Sequence, residues 1–258
     1  MDTVTSADGT TIAYDRAGNG PPVILINAGP TDRTVNAPLV DLLAPRLTVL
    51  NYDRRGRGDS GDSSPYAVDR EYEDLMAVIG AAGGSAHLYG NSGGGILALE
   101  AAARGLPVTG IAVWEPPYIL DGARPPAPRD YRQRLVDLLA AGRRGDMVEL
   151  FLTQAAGMPA EFVAAIRQSP FWPSQEAVAH ALVYDAEIVG DFSLPTARLA
   201  AVKAPTLVVD GGQTSWLTAA ADAVAEAIPD ARRRTLQGQP HNVDPAALAP
   251  LLAEFSTA

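Results

Sequence analysis

Five short apolar runs set the architecture: PVILIN (22 to 27), LTVLNYD (47 to 53), AHLYG (86 to 90), TGIAVWE (109 to 115) and APTLVVDG (204 to 211). Helical patterning separates them at 34 to 44, 69 to 82 and 92 to 104. Strands that are apolar on both faces must be buried on both faces. Their alternation with helices therefore predicts an α/β fold, a mostly parallel sheet covered by helices on either side. TTIAYDRAG (10 to 18) reads as an antiparallel edge hairpin strand and RRRTLQG (232 to 238) as the last strand. No internal repeat or low-complexity stretch interrupts the pattern.

The rhythm changes from 121 to 203, where DYRQRLVDLLAAGRRGDMVELFLTQ, PAEFVAAIRQ and SQEAVAHALVYDAEIVG follow one another with no strand between them. A helical insertion is expected there. Residues 1–120 and 204–258 then form the core domain. The Pro-rich segment Ala123 to Pro128 opens the insertion and Pro195 closes it, both plausible hinges. Its bulky apolar residues, Met147, Phe151, Met158, Phe162, Phe171, Trp172 and Tyr184, belong either to its own core or to a pocket beneath a lid. Trp172 is the candidate for substrate contact.

Composition removes several function classes. The 258 residues carry a net charge of -10 and no run of Lys or Arg, so a nucleic-acid backbone would be repelled. With no cysteine there is no disulfide framework and no thiolate nucleophile. The three histidines are too scattered to hold a metal, and no cofactor motif is present. The first residues show neither a basic n-region nor an apolar h-region, and no apolar run reaches membrane-spanning length. A cytoplasmic monomer or homodimer acting on a small molecule, away from membranes, is the expectation.

The chemistry concentrates at HLYGNSGGGILALEAAARG (87 to 105), a strand running through a glycine cluster into a helix. Gly90-Asn91-Ser92-Gly93-Gly94 spells G-x-S-x-G where a nucleophile elbow requires it. Small neighbours let a strained turn pass close to adjacent backbone and expose the serine hydroxyl at the carboxyl end of the sheet. The Gly93 amide would then be one oxyanion donor. A dinucleotide turn would need G-x-G-x-x-G and a P-loop would need a lysine; neither is present. A purely structural glycine turn is the remaining alternative.

At these residues the chain resembles the α/β-hydrolase fold, specifically its serine hydrolases with a helical cap, a group that includes esterases and cofactor-free haloperoxidases. NAGPTDR (27 to 33) is similar to the family's oxyanion loop, and YDRRGRGDSG (52 to 61) to its D-x-R-G-x-G-x-S loop. The resemblance implies a second oxyanion donor from the Ala28 or Gly29 amide. Asn27 replaces the usual histidine, and either braces that loop or meets substrate together with Asn91. In the second loop Arg57-Gly58-Asp59 matches a cell-adhesion tripeptide by coincidence, while Asp53, Arg54 and Arg55 are expected to stabilise the sheet edge through backbone contacts.

A serine needs a base. His87 lies within a strand run and His180 on an insertion helix. His241, in GQPHNVDP after the last strand, stands where the fold places its general base. The usual position for the orienting acid, near Thr214 and Ser215, holds no carboxylate. Glu115, at the end of AVWE, and Asp210, at the end of the next strand, are the two substitutes. Some capped relatives carry their acid at the position of Glu115, which is slightly favoured, and an absent acid stays open. The implied reaction is acyl transfer through Ser92 on a small or medium, largely apolar ester, lactone or thioester. Perhydrolysis, a non-hydrolytic reaction such as cyclisation or isomerisation, and a ligand-binding role are the alternatives. A serine at the elbow argues against dehalogenase or epoxide hydrolase chemistry, which needs an aspartate there.

Overall fold

Eight strands form one sheet: β1 (Asp2–Thr5), β2 (Thr11–Ala17), β3 (Pro22–Ile26), β4 (Thr48–Tyr52), β5 (Ala86–Asn91), β6 (Val108–Trp114), β7 (Thr206–Gly212) and β8 (Ala231–Gln239). The computed structural model describes residues 1–257. The strand order is β1-β2-β4-β3-β5-β6-β7-β8. β1 pairs antiparallel with β2 and β2 with β4; every other pairing is parallel. The edge strand is thus β1, not the predicted β2. DTVT is too short and too polar to announce a strand on its own, and it forms because its register with β2 supplies the partner.

Alternation along the strands divides the core in two. Ile24, Ile26, Leu50, Leu88, Val113 and Val208 face α2 (Val68–Ala81), α3 (Gly93–Ala103) and α10 (Ser215–Ala227). Val23, Leu25, Val49, Tyr89, Ala112 and Val209 face α1 (Ala37–Leu43) and α11 (Pro245–Phe255). This is the two-sided burial that continuous apolar strands require.

Between β6 and β7 run α4 (Tyr131–Ala140), α5 (Arg144–Leu150), a π turn (Phe151–Ala155), α6 (Ala160–Ile166), α7 (Trp172–Ala177), α8 (Leu182–Val189) and α9 (Thr196–Leu199). Gly142, at φ 68°, breaks what the sequence presents as one long helix. Tyr131, Leu135, Met147, Trp172, Leu182 and Phe192 form a separate apolar cluster. Leu194, Leu199 and Val202 instead pack with the sheet, so the independent part of the insertion ends near Phe192. Among the described residues no helix is long and apolar enough to cross a membrane.

The connection that positions the site is the reversal of strand order at β3, which has β4 on one side and β5 on the other. Loops leave the carboxyl ends of β3 and β5 at this point, the place where open α/β sheets bind their ligands. Register brings Ile26 beside Gly90, Asn91 beside Trp114 and Trp114 beside Val209, so the residues that follow these strands meet along one edge.

Candidate active site

Ser92 closes β5 and begins α3 with φ 54° and ψ −125°, a conformation that an L-residue adopts only when its surroundings impose it. The imposition is visible. Its N–H donates to Trp114 O at 2.9 Å and its carbonyl accepts from Gly95 N–H at 2.9 Å. A Cβ on Gly90 would lie 2.3 Å from Gly94 O, and one on Gly94 would lie 2.3 Å from Ile26 O. Only glycine fits at either position, because the obstacles are backbone atoms.

One strand over, Glu115 follows β6 at φ 44° and is 1% exposed. Its N–H donates to Val209 O at 2.9 Å, and Gly211 N–H donates to its Oε1 at 3.0 Å. Oε2 lies 2.7 Å from His241 Nδ1. The indole N–H of Trp114 donates to the His241 carbonyl at 2.9 Å, so this histidine is held through both its ring and its backbone. The ring stays partly open, at 39% side-chain exposure. Such a carboxylate–imidazole pair fixes which ring nitrogen carries the proton and leaves Nε2 available as a base.

Asp210, the other candidate acid, is turned elsewhere. Its carboxylate accepts from Arg233 Nη1 at 2.9 Å, from the Thr218 hydroxyl at 2.5 Å and from Gly212 N–H at 3.2 Å. Burial pushes its carboxyl up, but Arg233 and Thr218 outweigh this and hold it below the usual carboxylate range. Asp210 is part of an ion pair between β7 and β8, and does not orient His241.

The oxyanion candidates also separate. The Ala28 methyl would lie 3.3 Å from a Cβ on Gly93, so the two residues face each other across the elbow. Neither amide has an acceptor among the described residues. Gly29, the alternative to Ala28, corrects the expectation: its N–H donates to Asp185 Oδ2 at 2.9 Å and is not free for a substrate. It sits at φ 67°, with the Phe151 ring 3.1 Å from where a Cβ would be.

Of the predicted substrate contacts, Asn27 faces its own loop, where Nδ2 donates to Thr31 O at 3.2 Å and Thr31 Oγ1 at 3.3 Å. Its Nδ2 thus braces the loop, while its Oδ1 is buried and unpartnered. Asn91 ends β5 next to Ser92, with Oδ1 buried and unpartnered. Trp172 is 5% exposed in the apolar cluster of the insertion, where it donates to Glu176 Oε1 at 2.9 Å. Sequence reasoning passed over Asp185 on α8, whose carboxylate reaches the β3 loop; Phe151, one of the insertion residues left between core and pocket, packs against Gly29. Asp185 had a signal: it is the one charge on the otherwise apolar stretch LVYDA.

The arginine-glycine loop behind the site is a buried ion-pair network. Arg54, Arg55 and Arg57 are each at most 1% exposed. Arg54 binds Glu71 bidentately, with bonds of 3.0 and 2.7 Å, and reaches Asp185 at 2.7 Å; Arg57 also reaches Asp185, at 2.8 Å. Arg55 pairs with Asp74. Asp53 makes the expected backbone contacts, accepting from Arg33 N–H and Asp59 N–H, but also pairs with the Arg33 guanidinium, and Arg54 and Arg55 act mainly through their side chains. Burial of Arg57 removes the 57 to 59 tripeptide from any display as an adhesion motif.

His87 shares a hydrogen bond of 3.0 Å with Thr109, and His180 sits near Arg144 and Asp62 on the seam between core and insertion. Neither is at the elbow. Two surface cavities, of about 650 and about 460 Å³, are lined by insertion residues such as Arg143 and Arg167 and by seam residues such as Asp62 and His180. They lie away from Ser92. No cluster of potential metal ligands occurs among the described residues.

Residues 23–251 match the model of the alpha/beta hydrolase family. The chain belongs to this family. The hydrolase is 54% identical, with a TM-score of 0.95, to the structure of an alpha/beta hydrolase from Sphaerobacter thermophilus DSM 20745, over 98% of this chain and 99% of that one. An esterase from Thermogutta terrifontis, solved with malate bound, is 24% identical at a TM-score of 0.76, over 98% of this chain and 97% of that one, and shares the fold. Over 82 residues the hydrolase is 38% identical to the probable oxidoreductase EphD of Mycobacterium bovis, a match that spans 30% of this chain and only 14% of that protein.

Proposed function

We propose that this hydrolase cleaves carboxylic ester-type bonds through a Ser92 acyl-enzyme. The observation that carries the reading is the 2.7 Å contact between Glu115 Oε2 and His241 Nδ1 beside a serine held at φ 54°. Glu115 keeps the His241 proton on Nδ1, so Nε2 takes the Ser92 proton as Oγ attacks the carbonyl. The oxyanion meets the Gly93 and Ala28 amides, aided by the positive end of α3. His241 then protonates the leaving group. Water, activated by the same imidazole, releases the acid.

Phe151 above Gly29 and Val189 near Gly93 give the elbow apolar surroundings. They support a small or medium, largely apolar acyl group as ester, lactone or thioester, with the insertion acting as a cap over it. The esterase that shares the fold is consistent with this substrate class. Intact-mass spectrometry after exposure to a fluorophosphonate tests the reading. One adduct on the parent and none on Ser92→Ala or His241→Ala is expected; an adduct that persists on Ser92→Ala refutes it.

A further inference from the structure

We propose that Asp185, carried by the insertion, is a positioning residue for the oxyanion hole. The inference rests on the Ser92 reading above and goes beyond it by making the insertion a structural member of the catalytic apparatus.

Two consecutive peptides of the β3 loop are pinned around Ala28. The Asn27 carbonyl accepts from Arg54 Nη1 at 3.4 Å. In a trans peptide the N–H points opposite the C=O, so this contact aims the Ala28 N–H away from Arg54. The next peptide is held at both ends: Thr31 Oγ1 donates to the Ala28 carbonyl at 2.9 Å, and the Gly29 N–H donates to Asp185 Oδ2 at 2.9 Å. Fixing the planes on either side of Ala28 fixes its backbone dihedrals, and with them the direction of the Ala28 amide, in the residue whose methyl lies against Gly93.

Asp185 acts on both peptides. Its Oδ2 takes Gly29 directly, and its Oδ1 takes the same Arg54 Nη1 that holds Asn27, at 2.7 Å. Arg57 Nη2 reaches Oδ1 from the other side at 2.8 Å. The carboxylate is thus shared among two guanidiniums and one backbone amide, all buried. Burial pushes the carboxyl up, but Arg57 and Arg54 outweigh it and keep it ionised below the usual range. An absent side chain at 185 would leave Gly29 without its acceptor and Arg54 free to turn toward Glu71 alone. The Ala28 amide would then lose its preorganisation, the property on which oxyanion stabilisation depends.

The measurement is the rate of covalent labelling by a fluorophosphonate, separated into a saturation constant and a maximal rate, for the parent, Asp185→Ala, Asp185→Asn and Asp74→Asn. Asp185→Ala should lower the maximal rate at least tenfold, up to the roughly 10²- to 10³-fold that loss of a whole oxyanion donor causes, with the saturation constant within about twofold. Asp185→Asn keeps an oxygen that can accept from Gly29 and should recover part of the loss. It also serves if the alanine variant does not fold. Asp74→Asn breaks the comparably buried Arg55 pair, which touches no atom of residues 27 to 31, and should lower thermal stability while labelling at the parental rate. A parental maximal rate in the folded Asp185 variants, or an equal loss in Asp74→Asn, overturns the inference while leaving the Ser92 reading intact. Labelling that survives Ser92→Ala overturns both.

Discussion

Replacing Glu115 by Gln changes no volume, yet it should nearly abolish turnover. The buried carboxylate accepts on both oxygens, from Gly211 N–H at 3.0 Å and from His241 Nδ1 at 2.7 Å. A glutamine has one acceptor oxygen. Gly211 is buried and its N–H donates to this side chain, so the amide oxygen goes to Gly211 and the NH₂ turns to His241. Nδ1 must then accept, which moves the imidazole proton to Nε2 and removes the lone pair that deprotonates Ser92. A wrong tautomer of this kind costs about 10⁴ in kcat, or roughly 5.4 kcal/mol at 1.36 kcal/mol per tenfold. The assay is steady-state hydrolysis of p-nitrophenyl butyrate near pH 7.5, with circular dichroism to verify folding. Asp210→Asn is the counterpart, since it weakens the Arg233 pair and should lower the melting temperature while keeping kcat within about twofold. A Glu115→Gln enzyme within tenfold of the parent, or one less impaired than Asp210→Asn, would refute the tautomer argument.

Three further expectations concern the scaffold. Trp172→Ala should destabilise by about 3–5 kcal/mol in denaturant titration, as loss of a large buried aromatic does, with KM for p-nitrophenyl butyrate unchanged; a raised KM would return Trp172 to the substrate site. Gly94→Ala should unfold the elbow, because the new methyl meets Ile26 O at 2.3 Å, whereas Gly80→Ala, on α2 with nothing within 4 Å, should stabilise by about 0.4–1 kcal/mol; equal melting temperatures would contradict both. His87 and His180 are each held below the ordinary value of 6.5, both by burial and His180 also by Arg144. The unfolded chain binds these protons first as pH falls, so stability should decline from about pH 6.5 downward until the folded-state values are passed. Scanning calorimetry from pH 8 to 5 should show this slope flattened in His87→Gln/His180→Gln, and an unchanged slope would exclude the histidines as its source.

What could be read from residues alone follows physical range. The elbow was legible because its constraint is local: Gly90, Ser92 and Gly94 must be small or strained for the turn to pass Ile26. The parallel strands were legible because burial on both faces makes them apolar throughout. The acid was ambiguous because Glu115 and Asp210 both close apolar runs, and chain position does not say which way a side chain turns; in the structure Glu115 turns to His241 and Asp210 to Arg233. Gly29 was misread for a related reason. Its acceptor lies 156 residues away, and only packing of α8 onto the β3 loop brings it there. Trp172 shows the limit for insertions, since a bulky apolar residue carries the same pattern whether it fills a core or lines a pocket.

Because Glu115 stands at the end of β6, the turn after β7 has no acid to hold. Gly211 must remain glycine, as a Cβ there would lie 1.8 Å from Gln239 O, but Gln213 and Thr214 meet neither Glu115 nor His241. This short exposed connection is a natural entry point for variation. Extra residues, a reporter peptide or a second binding module could be spliced in at Gln213 and Thr214, beside the reaction centre yet outside its wiring, so that new specificity could be grown there without rebuilding the chemistry.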